Sequence, residues 1–144
     1  LMYKWYGLNV QNDYPVPLFH EDFEKILTIG VSSFKAQTST TKHFGWLRAG
    51  IRVLINIDKE VDAGAYIVVN DKPHVWKTDG EIYIFDDTVL HVSYNLTNSV
   101  RNCLFIDIVR PSYLDFILKG FVKLLGLISR IPFMAKLSNW KIIK

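Results

Sequence analysis

Residues 81–111 read EIYIFDDTVLHVSYNLTNSVRNCLFIDIVRP. "EIYIF", "LHVSYN" and "RNCLFIDIV" are short runs of β-branched and aromatic residues, and Asp, Thr, Asn and Ser stand between them. That pattern predicts strands joined by tight turns, and the Arg110-Pro111 pair ends the last one because proline cannot donate to a ladder. Working towards the N-terminus, "IGVSSFKAQ", "AGIRVLINI", "GAYIVVN" and "HVWK" repeat the pattern, with turns expected at "NDKP" (70–73) and "KTDG" (77–80). Many short strands at close spacing argue for a β-sandwich or barrel over residues 1–111. Before them, "HEDFEKIL" predicts a helix over 20–28, with Phe23, Ile26 and Leu27 on one side and acids early, where they suit the helix dipole. The aromatic opening "YKWYG" is expected to pack on the body.

The chain has 144 residues, a length suited to one domain, and 49% of them are hydrophobic, enough for a core. Its one cysteine, Cys103, excludes an intramolecular disulfide framework and reads as a buried, unreactive thiol, which fits a reducing compartment. The first residues, "LMYKWYGLNV", lack the apolar core of a secretory signal, so a cytoplasmic location is expected. Charge is uneven. Residues 1–110 carry 11 Lys+Arg against 13 Asp+Glu, whereas residues 111–144 carry six against one. The body is therefore mildly acidic, which argues against nucleic acid as a partner.

The stretch "SYLDFILKGFVKLLGLIS" (112–129) predicts an amphipathic helix with Ser112 as N-cap. Asp115, Lys119 and Lys123 form one narrow polar stripe on an otherwise apolar surface. Two readings stay open for the tail 112–144. It packs on the sheet with its lysines in water, or it lies peripherally on a membrane with basic anchors.

Of the four histidines, His20 reads as a solvated or capping residue and His74 as a packed one. His43 and His91 each precede an arginine at the head of, or inside, an apolar strand: Arg52 in "AGIRVLINI" and Arg101 in "RNCLFIDIV". A buried guanidinium needs an anion, and imidazole suits iron, zinc or copper. Together they suggest a metal site that holds a dicarboxylate.

These residues resemble the aspartyl/asparaginyl β-hydroxylase family of iron(II)- and 2-oxoglutarate-dependent oxygenases. The match runs through Trp76, Gly80, Phe85-Asp86-Asp87, His91, Asn95, Arg101, Asp107 and Arg110-Pro111, with His43, Gly45 and Arg52 as an H-x-G element and its arginine. The two ends of the chain look more narrowly like bacterial lipid A acyl-chain hydroxylases of the same family. The resemblance implies a double-stranded β-helix, a mainly β jelly-roll or cupin-like barrel. It implies Fe(II) on His43 and His91, with 2-oxoglutarate held by Arg101, Arg52 and Ser32, O2 as the other co-substrate, and a protein residue or a lipid acyl chain as substrate. Two departures stand out. Gly45 replaces the acid of the common H-x-D element, as in the eukaryotic aspartyl hydroxylases, and Leu54 replaces a histidine that contacts the co-substrate. A non-catalytic β-barrel module of the same fold is the alternative. Asp86 and Asp87 read as turn caps, Trp76 as a core aromatic, and Asp107 as a structural acid paired with Arg110 or placed on the polar face of its strand.

Overall fold

The computed structural model describes residues 1–45, 48–111 and 115–129. Two antiparallel sheets make a mainly β double-stranded β-helix. The larger holds β1 (Met2–Trp5), β2 (Leu8–Asn9), β3 (Ile26–Phe34), β5 (Gly50–Asn56), β8 (Ile82–Phe85) and β10 (Arg101–Val109), in the order β2-β1-β3-β10-β5-β8. The smaller holds β4 (Thr38–Ser39), β6 (Ala65–Val69), β7 (Lys72–Val75) and β9 (His91–Asn95), in the order β4-β9-β6-β7. Among the described residues, three helices complete the fold: α1 (Pro17–His20), α2 (Trp76–Asp79) and α3 (Asp115–Ser129).

Register sorts the larger sheet into two faces. Cross-strand rows Ser32–Cys103–Asn56, Gly30–Phe105–Leu54–Tyr83 and Thr28–Asp107–Arg52–Phe85 line one face. The alternate rows, Val31–Leu104–Ile55–Ile82 and Ile29–Ile106–Val53–Ile84, are wholly aliphatic, as side-chain alternation along a strand requires. Gly30 is needed in the first set, because a Cβ there would lie 2.5 Å from the Phe105 ring. Ala65, Ile67, Val69, Trp76 and Phe85 form the core between the sheets.

The β6–β7 connection is a two-residue hairpin with Asn70 and Asp71 at φ 49° and 61°, the left-handed turn that "NDKP" predicts. "KTDG" becomes the short helix α2, stopped by Gly80 at φ 108°. The helix expected over 20–28 does not form. Only the single turn Pro17–His20 is helical, and Ile26 already pairs with Ile108 as the start of β3. Ile26 and Leu27 match helical spacing, but β10 offers a full ladder there, and that pairing overrides the local preference. The "YKWYG" opening packs on the body as expected, its first three residues within strand β1 and Tyr3 and Lys4 buried.

α3 confirms the amphipathic C-terminal helix over 115–129; the cap at Ser112 and the remainder of the tail after 129 lie outside the described residues. Among the described residues, no helix is long and apolar enough to cross a membrane.

Candidate active site

His43 and His91 meet across the end of the smaller sheet. Each donates its backbone N–H to the other's carbonyl, at 3.0 Å and 2.8 Å, in an isolated antiparallel bridge. The paired residues project to one side, so the rings lie 4.3 Å apart centroid to centroid. His43 Nδ1 lies 2.6 Å from the Thr41 carbonyl and His91 Nδ1 lies 2.8 Å from that of Val89. A carbonyl can only accept, so each Nδ1 carries the proton and each Nε2 keeps its lone pair. Burial holds the His91 imidazole below its ordinary range, which keeps it neutral. His43 is exposed and His91 is buried, so the pair sits at an opening.

Asp87 is the unexpected member of this group. Its Oδ1 lies 3.5 Å from His91 Nε2 and accepts a 2.5 Å bond from Arg52 Nη1. Burial raises its carboxyl above the ordinary value, against the pull of Arg52. The Gly45 N–H donates to the Asp87 carbonyl at 2.7 Å, and a Cβ on Gly45 would fall 1.9 Å from Asp87 Oδ2. The space that a side chain at position 45 would occupy is thus filled by a carboxylate from the β8–β9 loop. Among the described residues, no three His, Cys, Asp or Glu side chains close on a common point, so Asp87 stands beside the two imidazoles without completing a three-ligand set.

Arg52 is committed within the chain. Its Nε and Nη2 donate to the two oxygens of Asp107 at 2.8 and 3.0 Å, and its Nη1 holds Asp87. The anion that the buried arginine requires is therefore a pair of the chain's own acids, and Asp107 partners Arg52 rather than Arg110. Arg110 instead reaches Asp86 at 2.7 Å, and Asp86 caps its turn through Thr88, accepting from both the backbone N–H and the hydroxyl. Next to this network, burial pushes the Tyr6 hydroxyl up to about 12.

Arg101 is only partly committed, its side chain meeting the Cys103 thiol. It is 3% exposed, and its Nε and Nη1 have no hydrogen-bond partner among the described residues. Its guanidinium carbon lies 4.5 Å from the Phe34 ring and 5.3 Å from that of Trp76. The Trp76 indole Nε1 is also buried with no partner among the described residues. Trp76 and Phe85 belong to one core cluster, and Phe85 packs edge-on against His91 at 5.1 Å, so a continuous aromatic path joins Arg101 to the paired imidazoles. A small cleft of about 20 Å³ also touches Arg101, between Asp58, Glu60, Asp62 and Thr97. It is acidic and water-sized, unsuited to an oxoacid.

The remaining candidates are close by. Ser32 lies on the row beside Cys103 and donates to the Cys103 carbonyl at 3.3 Å. Leu54 packs against the core cluster, and Asn56, buried in the same row as Ser32, has no partner for its Oδ1 among the described residues. Asn95 is fully buried, so the "NLT" triplet presents no surface acceptor. Its amide donates to the carbonyls of Phe34, Lys35 and Ser99 and accepts from Thr97, which locks the loop that leads into Arg101. The sequence carried no signal for Asp87 in the space at Gly45, since the two stretches are remote until the barrel closes.

The sequence profile of the aspartyl/asparaginyl β-hydroxylases matches residues 14–111. The chain belongs to that family. The match spans every strand from β3 to β10, including both imidazoles and both arginines. No curated protein sequence matches. Among solved structures, a non-heme monooxygenase, ThoJ in its nickel complex, is similar at 12% identity and TM-score 0.50, covering 79% of this chain and 67% of that one. A cupin superfamily protein of Desulfitobacterium hafniense DCB-2 is 15% identical with TM-score 0.42, covering 72% and 97%. A predicted oxalate decarboxylase of Thermotoga maritima is 15% identical with TM-score 0.46, covering 60% and 69%. At these identities the likeness concerns the fold alone. Family membership supports an oxygenase or hydroxylase activity in general terms, of a metal-dependent kind.

Proposed function

We propose that this family member is an iron(II)- and 2-oxoglutarate-dependent hydroxylase that acts on an unactivated C–H bond. The observation that carries the reading is buried Arg101, whose Nε and Nη1 lack any partner among the described residues. It lies inside the same barrel as two imidazoles whose Nδ1 atoms are engaged by backbone carbonyls. A carboxylate is the anion that satisfies a guanidinium with two parallel bonds, and the Trp76 Nε1 is a further donor beside it.

His43 and His91 would hold the metal, their rings oriented by the Thr41 and Val89 carbonyls. Bound there, iron and the oxoacid would supply the oxidising power, with O2 consumed and the oxoacid leaving as succinate and carbon dioxide. Arg101 would fix the distal carboxylate, with Ser32 on a neighbouring row of the same face. Arg52 serves indirectly, because it is saturated by Asp107 and Asp87 and so sets the Asp87 carboxylate beside His91. In that position Asp87 fills the space left open at Gly45 and adds negative charge beside His91. Leu54 leaves one donor fewer for the oxoacid, which lowers affinity without removing the main anchor. Substrate would enter past His43, where Phe44 is exposed, as is Leu90 beside His91. That apolar rim suits an acyl chain better than an acidic peptide.

Anaerobic addition of iron(II) and 2-oxoglutarate to the whole chain tests this. A visible absorption band of the chelate should appear, vanish in His91→Ala and weaken strongly in Arg101→Met, and admission of O2 should release succinate. A folded protein that gives neither band nor succinate is a binding module of the same fold, and the hydroxylase reading fails.

A further inference from the structure

We propose that α3 docks the protein on an anionic lipid surface, with the active-site end of the barrel facing the bilayer. α3 is held by one side only. Leu118 and Val122 pack on Leu27, Ala49, Val109 and Tyr6, and Gly126 lies against Tyr6 and Leu8 so tightly that a Cβ there would meet them at 3.1 Å. Lys119 pairs with Glu24 and fastens the flank. These contacts recur every four residues, as one face of a helix must.

Among the described residues, nothing covers the other side. Phe116, Ile117, Phe121, Leu124, Leu127 and Ile128 are 75, 53, 49, 52, 56 and 37% exposed. Six large apolar side chains on one continuous arc exceed the scattered exposure ordinary for a surface helix. Polar groups lie at the margin, Lys123 among them, not within the arc. The described part of the helix is 15 residues long, a length that suits lying in an interface.

Charge selects the occupant. Residues 111–144 carry six Lys+Arg against one acid, and the stretch 130–144 adds Arg130, Lys136, Lys141 and Lys144 with no acid among apolar residues and Trp140. A second copy of the chain would set one basic tail against another, which disfavours self-association through this face. Protein interfaces mix aromatic, arginine and hydrogen-bonding groups. An aliphatic and phenyl arc edged by lysine matches the boundary between acyl chains and anionic headgroups instead.

Topology adds a direction. Leu27, Ala49 and Val109, which seat α3, belong to the same end of the barrel as Gly50, Phe85 and Asp87, and hence as His43 and His91. The Arg110–Asp86 ion pair ties the residue that leads to α3 to the loop that carries Asp87. Lipid bound to α3 therefore lies near the mouth of the site. Docking itself needs neither metal nor co-substrate, so it stands or falls apart from the hydroxylase reading.

The test is co-sedimentation of the whole chain with vesicles of phosphatidylcholine alone or with one quarter phosphatidylglycerol. Binding should be at least tenfold stronger to the anionic vesicles and weaken with added salt. Phe116→Asp with Phe121→Asp should lower it at least tenfold while the thermal unfolding temperature holds, since both side chains point away from the barrel. Lys123→Glu should reduce the preference for anionic lipid. Equal binding by the double variant, or no binding of the wild type to either vesicle, overturns the proposal. So does concentration-dependent dimerisation in light scattering that the double variant abolishes, or docking on an acidic protein without any on lipid.

Discussion

Replacing Arg101 by methionine should make the ligand-free protein more stable while destroying its response to co-substrate. The Nε and Nη1 groups are buried and unpaired, and an unsatisfied buried donor costs about 1–3 kcal/mol. Against that stand the guanidinium contacts with Phe34 and Trp76 at 4.5 and 5.3 Å, each worth about 0.5–2 kcal/mol. Methionine keeps most of the apolar contact and removes the charge. The balance is a gain of about 1–2 kcal/mol, or about 3–8 °C in midpoint for a chain of this size. Saturating 2-oxoglutarate at a hundred times its Kd should add about 2.7 kcal/mol to the wild type and nothing to Arg101→Met. Urea unfolding and thermal scans with iron(II), with and without the oxoacid, measure both quantities. A variant that is less stable than wild type, yet shows the same shift on adding the oxoacid, would refute the assignment of Arg101 as the anchor.

Gly45→Ala should lower stability by about 1–3 kcal/mol through overpacking, because its Cβ would fall 1.9 Å from Asp87 Oδ2. It should also weaken binding of nickel or iron(II) in calorimetry. Gly45→Asp combined with Asp87→Ala should recover metal affinity relative to Gly45→Asp alone, since the carboxylate is moved rather than doubled. Asp107→Asn should cost about 2–3 kcal/mol in urea unfolding, because it weakens the two-pronged grip on Arg52, which is only 22% exposed. The Thr88 hydroxyl holds the Asp86 carboxyl below the usual carboxylate range. Its contribution to stability is therefore present above the unfolded-state value and is lost as pH falls through the lowered folded one. Thr88→Val should move the Asp86 carbon-13 titration upward, and the acid limb of the stability curve with it.

The strands were legible wherever β-branched residues run between turn formers, as in Gly50–Asn56 and Arg101–Val109. The short strands β1, β2 and β4 were not, because Met2–Trp5, Leu8–Asn9 and Thr38–Ser39 hold no run of β-branched residues between turn formers. Ile26 and Leu27 misled because their spacing with Phe23 suits a helix, whereas their partners lie on β10. For the site, the two imidazoles could be picked out by the arginines that follow them, and the structure brings their rings together. The anion for Arg52 could not be named from spacing, since Asp107 faces it only through the β5–β10 register. Asp87 read as a turn residue for the same reason. Its neighbours Gly45 and Arg52 reach it only in the closed barrel.

The backbone bridge between His43 and His91 has a mechanical meaning. It is isolated, two hydrogen bonds at the rim of the smaller sheet, and such rims are the first parts of a barrel to fray. A divalent ion spanning both side chains would act as a clasp, linking segments remote in sequence much as a covalent cross-link restrains an unfolded chain. Loss of the ion would then loosen the mouth while leaving the far end shut, so that amide exchange at positions 43 and 91 becomes a gauge of metal loading.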